Sequence, residues 1–226
     1  MKTVKKGLCC VLVLLITLFS VSCSHPTDDQ SSSHVYGDIF DHLANAFPWD
    51  GSQLNLVPEQ PEMSYLYRHH SDPNDIVYAF ADIDGNGQPE LLLSGKDSSV
   101  IYDMYTVVKG QPMHIFSSHE RSGYQLYSDG YIQHTWSAST YINGIDFYRF
   151  QDGELVFLQR ITVDAAYAQK VGIITDIADA ADTCYFQSNS ASESEYRQIT
   201  AEEAASLTDQ WQRKEMMQLD WLSLPF

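Results

Sequence analysis

Ile76-Val-Tyr-Ala-Phe-Ala-Asp-Ile-Asp-Gly-Asn-Gly-Gln-Pro-Glu-Leu-Leu-Leu93 is an apolar run, an acidic glycine-rich loop and a second apolar run. The runs Val77-Tyr78-Ala79-Phe80 and Leu91-Leu92-Leu93 are short and bounded by turn residues, so the stretch reads as strand, loop, strand. Asp82, Asp84 and Asn86 place oxygen-bearing side chains at every second position, and Gly87 follows where the chain must turn sharply. Calcium takes about six to eight oxygens at roughly 2.3 to 2.6 Å, so a short loop around it must supply oxygens at alternate residues plus a backbone carbonyl. The expected ligands of a Ca2+ ion are therefore Asp82, Asp84, Asn86, the Gln88 carbonyl and Glu90, the last directly or through a water. The alternative is a bare Asp-Gly/Asn-Gly turn without metal. Carboxylates packed together without a cation are electrostatically costly, which favours the ion.

An EF-hand needs a bidentate Glu at the twelfth loop position between two helices, and here that position is Leu93 between strands. The Asp-x-Asp-Gly-Asn-Gly loop followed by Pro-Glu-Leu resembles the strand-flanked calcium loops of FG-GAP and integrin-type repeats. It is more similar still to the single Asp-Ile-Asp-Gly-Asn-Gly-x-Pro-Glu-Leu segment of small uncharacterised surface lipoproteins from Gram-positive bacteria. The likeness is tight over residues 78–94 and looser over the following hairpins and the Leu219-Asp220-Trp221 ending. It departs at loop position nine, where Glu90 replaces the usual Asp, and in having one copy where a propeller requires several. The resemblance implies one calcium loop on an exported, tethered domain.

The first residues read as an address. Lys2, Lys5 and Lys6 precede the apolar run Leu8 to Phe19, and small residues follow at Ser20 and Ser22, which makes residues 1–22 a secretory signal peptide. Val21-Ser22-Cys23 resembles a bacterial lipobox, although Ser20 stands where Leu is usual. That likeness implies lipidation of Cys23 and a domain anchored on the extracytoplasmic face of the cell membrane; ordinary cleavage and secretion is the alternative. Residues 23–35 are a polar, serine-rich stalk, and residues 36–226 a single domain. Of four cysteines, Cys9 and Cys10 leave with the signal peptide and Cys23 is the lipid candidate, so Cys184 has no partner for a disulfide and reads as a small buried hydrophobe. The formal charge is -17, and loss of the three signal-peptide lysines takes it to -20. Such a surface repels nucleic acid and anionic lipid and attracts divalent cations.

The remaining pattern predicts an α+β fold, mainly an antiparallel β-meander with a helix at each end. Tyr36, Ile39, Phe40, Leu43 and Phe47 recur at helical spacing up to Pro48. Gly51 to Glu62 is an irregular connection, and the pattern of residues 63–68 does not choose between strand and helix. Hairpins follow: Val100 to Val108 with Met113 to Phe116, Gly123 to Tyr127 with Tyr131 to Trp136, and Ile145 to Phe150 with Glu154 to Ile161. Two of these turn at Asp-Gly pairs. Residues 162–182 have no clear assignment, and Thr183 to Gln187 resumes strand character. Thr200-Ala-Glu-Glu203 is a capping box opening a helix to about Met217, and the apolar tail after it is expected to dock.

Motifs for enzyme chemistry are mostly absent. There is no Gly-x-Ser-x-Gly, no His-Glu-x-x-His and no phosphate-binding Gly-x-x-x-x-Gly-Lys-Ser/Thr, and His69, His70, His114, His119 and His134 lack zinc-ligand spacing. Two functions follow. One is a non-enzymatic, calcium-stabilised surface lipoprotein whose tyrosine- and tryptophan-rich face binds a protein or carbohydrate partner. The other is an extracytoplasmic hydrolase or accessory subunit acting on glycan, which an apolar cleft holding two carboxylates of raised pKa would favour.

Overall fold

The computed structural model describes residues 35–46, 72–177 and 184–225. The expected signal peptide, Cys23, the expected stalk up to residue 34, Phe47, Pro48 and the segments 51–62 and 63–68 lie outside the described residues. The rest is an antiparallel meander with short helices, as its pattern of apolar runs and turns predicts. Strands β1 (Ile76–Ala81), β2 (Glu90–Gly95), β3 (Ile101–Val108), β4 (Gln111–Ser117) and β5 (Ser122–Leu126) are followed by β6 (Tyr131–Ser139), β7 (Ile142–Gln151) and β8 (Glu154–Asp164). Short strands β9 (Tyr185–Ser188), β10 (Arg197–Ile199) and β11 (Leu222–Ser223) complete the set. Their order across the sheet is β10-β9-β8-β7-β6-β5-β3-β2-β1-β11, with β4 on the edge of β3.

Strand β3 divides this sheet. Most of its outer edge, from Asp103 to Val108, pairs with β4, and only Ile101 pairs with β5, through Tyr124. The ladder therefore consists of two strand groups, β1 to β4 with β11 and β5 to β10, joined by one residue pair. The groups close on a shared core in which Ile83, Leu92, Ile101, Met104 and Phe116 meet Leu126, Ile132 and Phe150. Leu91 and Leu93, pointing the other way along β2, pack under helix α1 (Gly37–Ala46) with Ile39, Phe40 and Leu43. With both faces covered, every residue of β2 is buried. Tyr36, just before α1, donates its hydroxyl to the carbonyls of Pro89 at 3.0 Å and Tyr105 at 3.3 Å, fixing the helix against the end of the acidic loop.

The β3–β4 and β7–β8 hairpins turn through Lys109-Gly110 and Asp152-Gly153, all four with positive φ, as a two-residue turn matched to strand twist requires. The unassigned segment begins as the end of β8 and a short helix α2 (Ala165–Lys170), whose first turn is capped by Asp164 accepting from the Tyr167 amide at 2.8 Å. Its Ala165 and Ala168 pack on the buried Cys184. Helix α3 (Ala201–Gln212) starts at the expected cap, where Thr200 Oγ1 accepts from the Glu203 amide at 3.1 Å. The Glu203 carboxylate binds Arg197 at 2.8 Å. The helix stops at Gln212, short of Met217, because the following backbone is taken up by the β5–β6 turn: Ser128 N–H bonds Glu215 O and Met217 N–H bonds Leu126 O. Met217, Leu219 and Trp221 then pack on the shared core, and Leu224 is buried.

Candidate metal centre

The acidic loop leaves β1 at Ala81 and enters β2 at Glu90, residues that pair with each other, so its two ends are held a strand spacing apart. Gly85 and Gly87 have φ of +75 and +87, the left-handed conformation that lets so short a loop fold back on itself. The fold brings carboxylate oxygens of Asp82, Asp84 and Glu90 within 4.8 Å of one another. Two oxygens bound to one calcium at roughly 2.4 Å can lie no more than about 4.8 Å apart, so the three fit a common ion.

The hydrogen bonds explain how these groups are held. Asp82 accepts the amides of Asn86 at 3.0 Å and Gly87 at 2.9 Å on its two oxygens. Asp84 accepts Asn86 N–H at 3.2 Å on one oxygen and, on the other, Asp152 N–H at 3.0 Å from the distant β7–β8 turn. Glu90 is fully buried and accepts Ile83 N–H at 2.9 Å and the Thr106 hydroxyl at 2.8 Å. Each of the six oxygens has one donor, and a carboxylate oxygen has room for a second partner. Burial pushes the Glu90 carboxyl up to about 7 against the pull of Ile83 and Thr106, with the charges of Asp84 and Asp82 adding to the rise. A cation bound among these three carboxylates would offset their charge. The cluster can bind a metal ion, and an all-carboxylate donor set without imidazole or thiolate suits a hard cation. Asn86 lies on the same loop with its side-chain oxygen accepting Gln88 N–H at 2.7 Å. Thr106 and Asp152 had no signal in the sequence: the first is one threonine in an apolar strand, and the second is brought in by a hairpin 68 residues away.

A second feature is a cleft of about 920 Å³ between the sheet and α3. Its walls include Ile145 and Val163, the small face of α3 at Ala204 and Ala205, and the His119-to-Ser122 turn. Glu120 and Asp209 are carboxylates on this lining, while Glu90 is not part of it. Gly144 is required there, since a Cβ would come within 2.9 Å of both the Ile161 carbonyl oxygen and the Trp136 ring.

Ser122, His134 and Asp146 form a row on the sheet that superficially suggests a nucleophile with its base. Ser122 Oγ lies 2.6 Å from His134 Nε2. His134 Nδ1, however, is 4.0 Å from Asp146, whose oxygens are bound by Arg160 at 2.6 and 2.7 Å. Ser122 is the member of the row that lines the cleft; Asp146 and Arg160 point the other way, since Phe147 and Ile161, which flank them in sequence, pack with Ala204 on the α3 side. It is a cross-strand polar ladder. Comparison of the chain with known protein families, curated proteins and solved structures found no match.

Proposed function

We propose that this protein is a calcium-stabilised, extracytoplasmic surface lipoprotein, anchored through a lipidated Cys23, whose domain binds a protein or glycan partner without catalysing a reaction. The observation that carries the reading is the convergence of Asp82, Asp84 and Glu90 in a loop whose oxygens are already oriented by backbone amides. Calcium is favoured over magnesium because a set of protein carboxylates and carbonyls with flexible geometry suits the larger ion, whereas magnesium keeps its waters. The acidic chain raises the local concentration of any divalent cation. The signal peptide and Cys23 supply the address, and the cleft beside α3 supplies a concave surface for a ligand. A glycan hydrolase is the second reading, favoured by the presence of Glu120 and Asp209 on that cleft.

Thermal unfolding tests the metal. An ion bound only to the folded state stabilises it by about 2.7 kcal/mol at a hundred times its Kd. For a domain of this size that is a rise in Tm of roughly 5 to 10 °C on adding calcium to chelator-treated protein. Asp82→Ala combined with Asp84→Ala is expected to abolish the rise, and an unchanged Tm in the unmodified protein would count against a calcium site. Mass spectrometry of protein taken from its native membrane checks the anchor, which an unmodified Cys23 would exclude.

A further inference from the structure

The two strand groups are tied by the ladder at one end only, through Ile101 and Tyr124 near the start of β3. At the other end of β3 the backbone ladder between groups is missing, because β4 occupies that edge. There the acidic loop, which belongs to the first group, touches two turns of the second. Asp84 accepts the Asp152 amide at 3.0 Å. Gly130, in the β5–β6 turn, lies so close to the loop that a Cβ on it would be 2.8 Å from the Ile83 carbonyl oxygen. The tip of the β7–β8 hairpin is in turn seated on β3, with the Gly153 Cβ position 3.3 Å from Val108. The shared apolar core includes both Ile101 at the ladder joint and Ile83 in the loop.

We infer that the β1–β2 loop, when it holds a divalent cation, is a clasp that locks the two strand groups together at the end their ladder leaves open. The inference rests on the metal reading above, and it adds a consequence outside the loop itself. Asp84 uses one carboxylate in both directions, toward the ion and toward Asp152. With the ion in place, repulsion among Asp82, Asp84 and Glu90 is cancelled and the oxygen offered to Asp152 is fixed in position. Without it, the cheapest relief is for exposed Asp82 and half-buried Asp84 to separate, because Glu90 is fully buried and held by Ile83 and Thr106. Asp152 then loses its acceptor. Linkage makes the relation reciprocal, so a well-seated turn also strengthens cation binding.

Hydrogen–deuterium exchange of the mature protein, titrated with calcium against chelator, tests this. Calcium is expected to slow exchange in residues 82–90 and also, by at least about fivefold, in the turns at 128–130 and 151–153. Protection of the loop with both turns unchanged overturns the clasp and leaves the metal site standing. A loop unaffected by calcium removes both. In Gly130→Ala, whose methyl group pushes the turn off the loop, calcium affinity is expected to fall about tenfold although Asp82, Asp84 and Glu90 are intact. Unaltered affinity in the folded variant also overturns the clasp.

Discussion

His134 shows what burial does to a single titratable group in this sheet. Its ring stacks on Tyr124 with centroids 4.2 Å apart, and its side chain is only 15% exposed. Burial lowers its pKa from 6.5 to about 4; Asp146 pulls the other way but is spent on Arg160, which with His119 adds a smaller push down. The unfolded chain takes up a proton near pH 6.5 that the folded ring refuses until about pH 4. Its contribution to stability is therefore complete above pH 6.5 and is lost as pH falls toward 4, by at most about 3 kcal/mol. Urea unfolding of the unmodified protein and His134→Gln across pH 4 to 7 isolates this: the stability difference is expected to narrow as pH falls, and parallel curves would refute it. This ladder was not legible in the sequence, where His134 is one of several scattered histidines. Asp82, Asp84 and Glu90 were legible because a candidate cation site built by one loop leaves its spacing in nearby residues, whereas Thr106 and Asp152 reach it only through the fold.

Strands and helices show the same division between local and distant causes. The hairpins at Lys109-Gly110 and Asp152-Gly153 are written in their turn residues, and α1 in its apolar spacing, so both appear where the pattern puts them. Helix α3 begins where Thr200 caps it but ends at Gln212 because the next backbone groups bond the β5–β6 turn, a competition no local pattern records. The Thr200 hydroxyl accepts the Glu203 amide at 3.1 Å. Thr200→Ala is expected to cost about 1 kcal/mol, the usual worth of an N-cap. Trp211 reports on it: the indole stacks on Phe147 with centroids 4.3 Å apart and donates to Gln159 at 2.8 Å. Its fluorescence should thus follow unfolding at a lower urea midpoint than in the unmodified protein, and an unshifted midpoint would show that tertiary packing alone sets this end of the helix.

The C-terminal tail closes the first strand group onto the second. Leaving α3 in the second group, it lays Met217, Leu219 and Trp221 on the shared core, then pairs Leu222 and Ser223 with Tyr78 and Val77 of β1. Leu224 finishes in the core under α1. The tail thus touches both cores and also covers part of an outer edge of the sheet, where unpaired backbone groups would otherwise invite another chain. Ending the chain after Asp220 removes one tryptophan and one buried leucine, whose joint loss is expected to cost roughly 4 to 8 kcal/mol if their contributions add, as large-to-small core replacements do at separate sites. That approaches the whole stability of an ordinary domain, so the truncated protein is expected to unfold at a much lower urea concentration. At protein concentrations where the sedimentation of the full chain is unchanged by dilution, the shortened one is expected to self-associate through the bared β1. Leu222→Pro offers the gentler comparison, since it keeps Trp221 and Leu224 but removes a backbone donor from the edge pair. A truncated chain as stable as the full one would mean that the tail merely rests on the sheet, and that the ladder joint at Ile101 and the shared core hold the two strand groups without it.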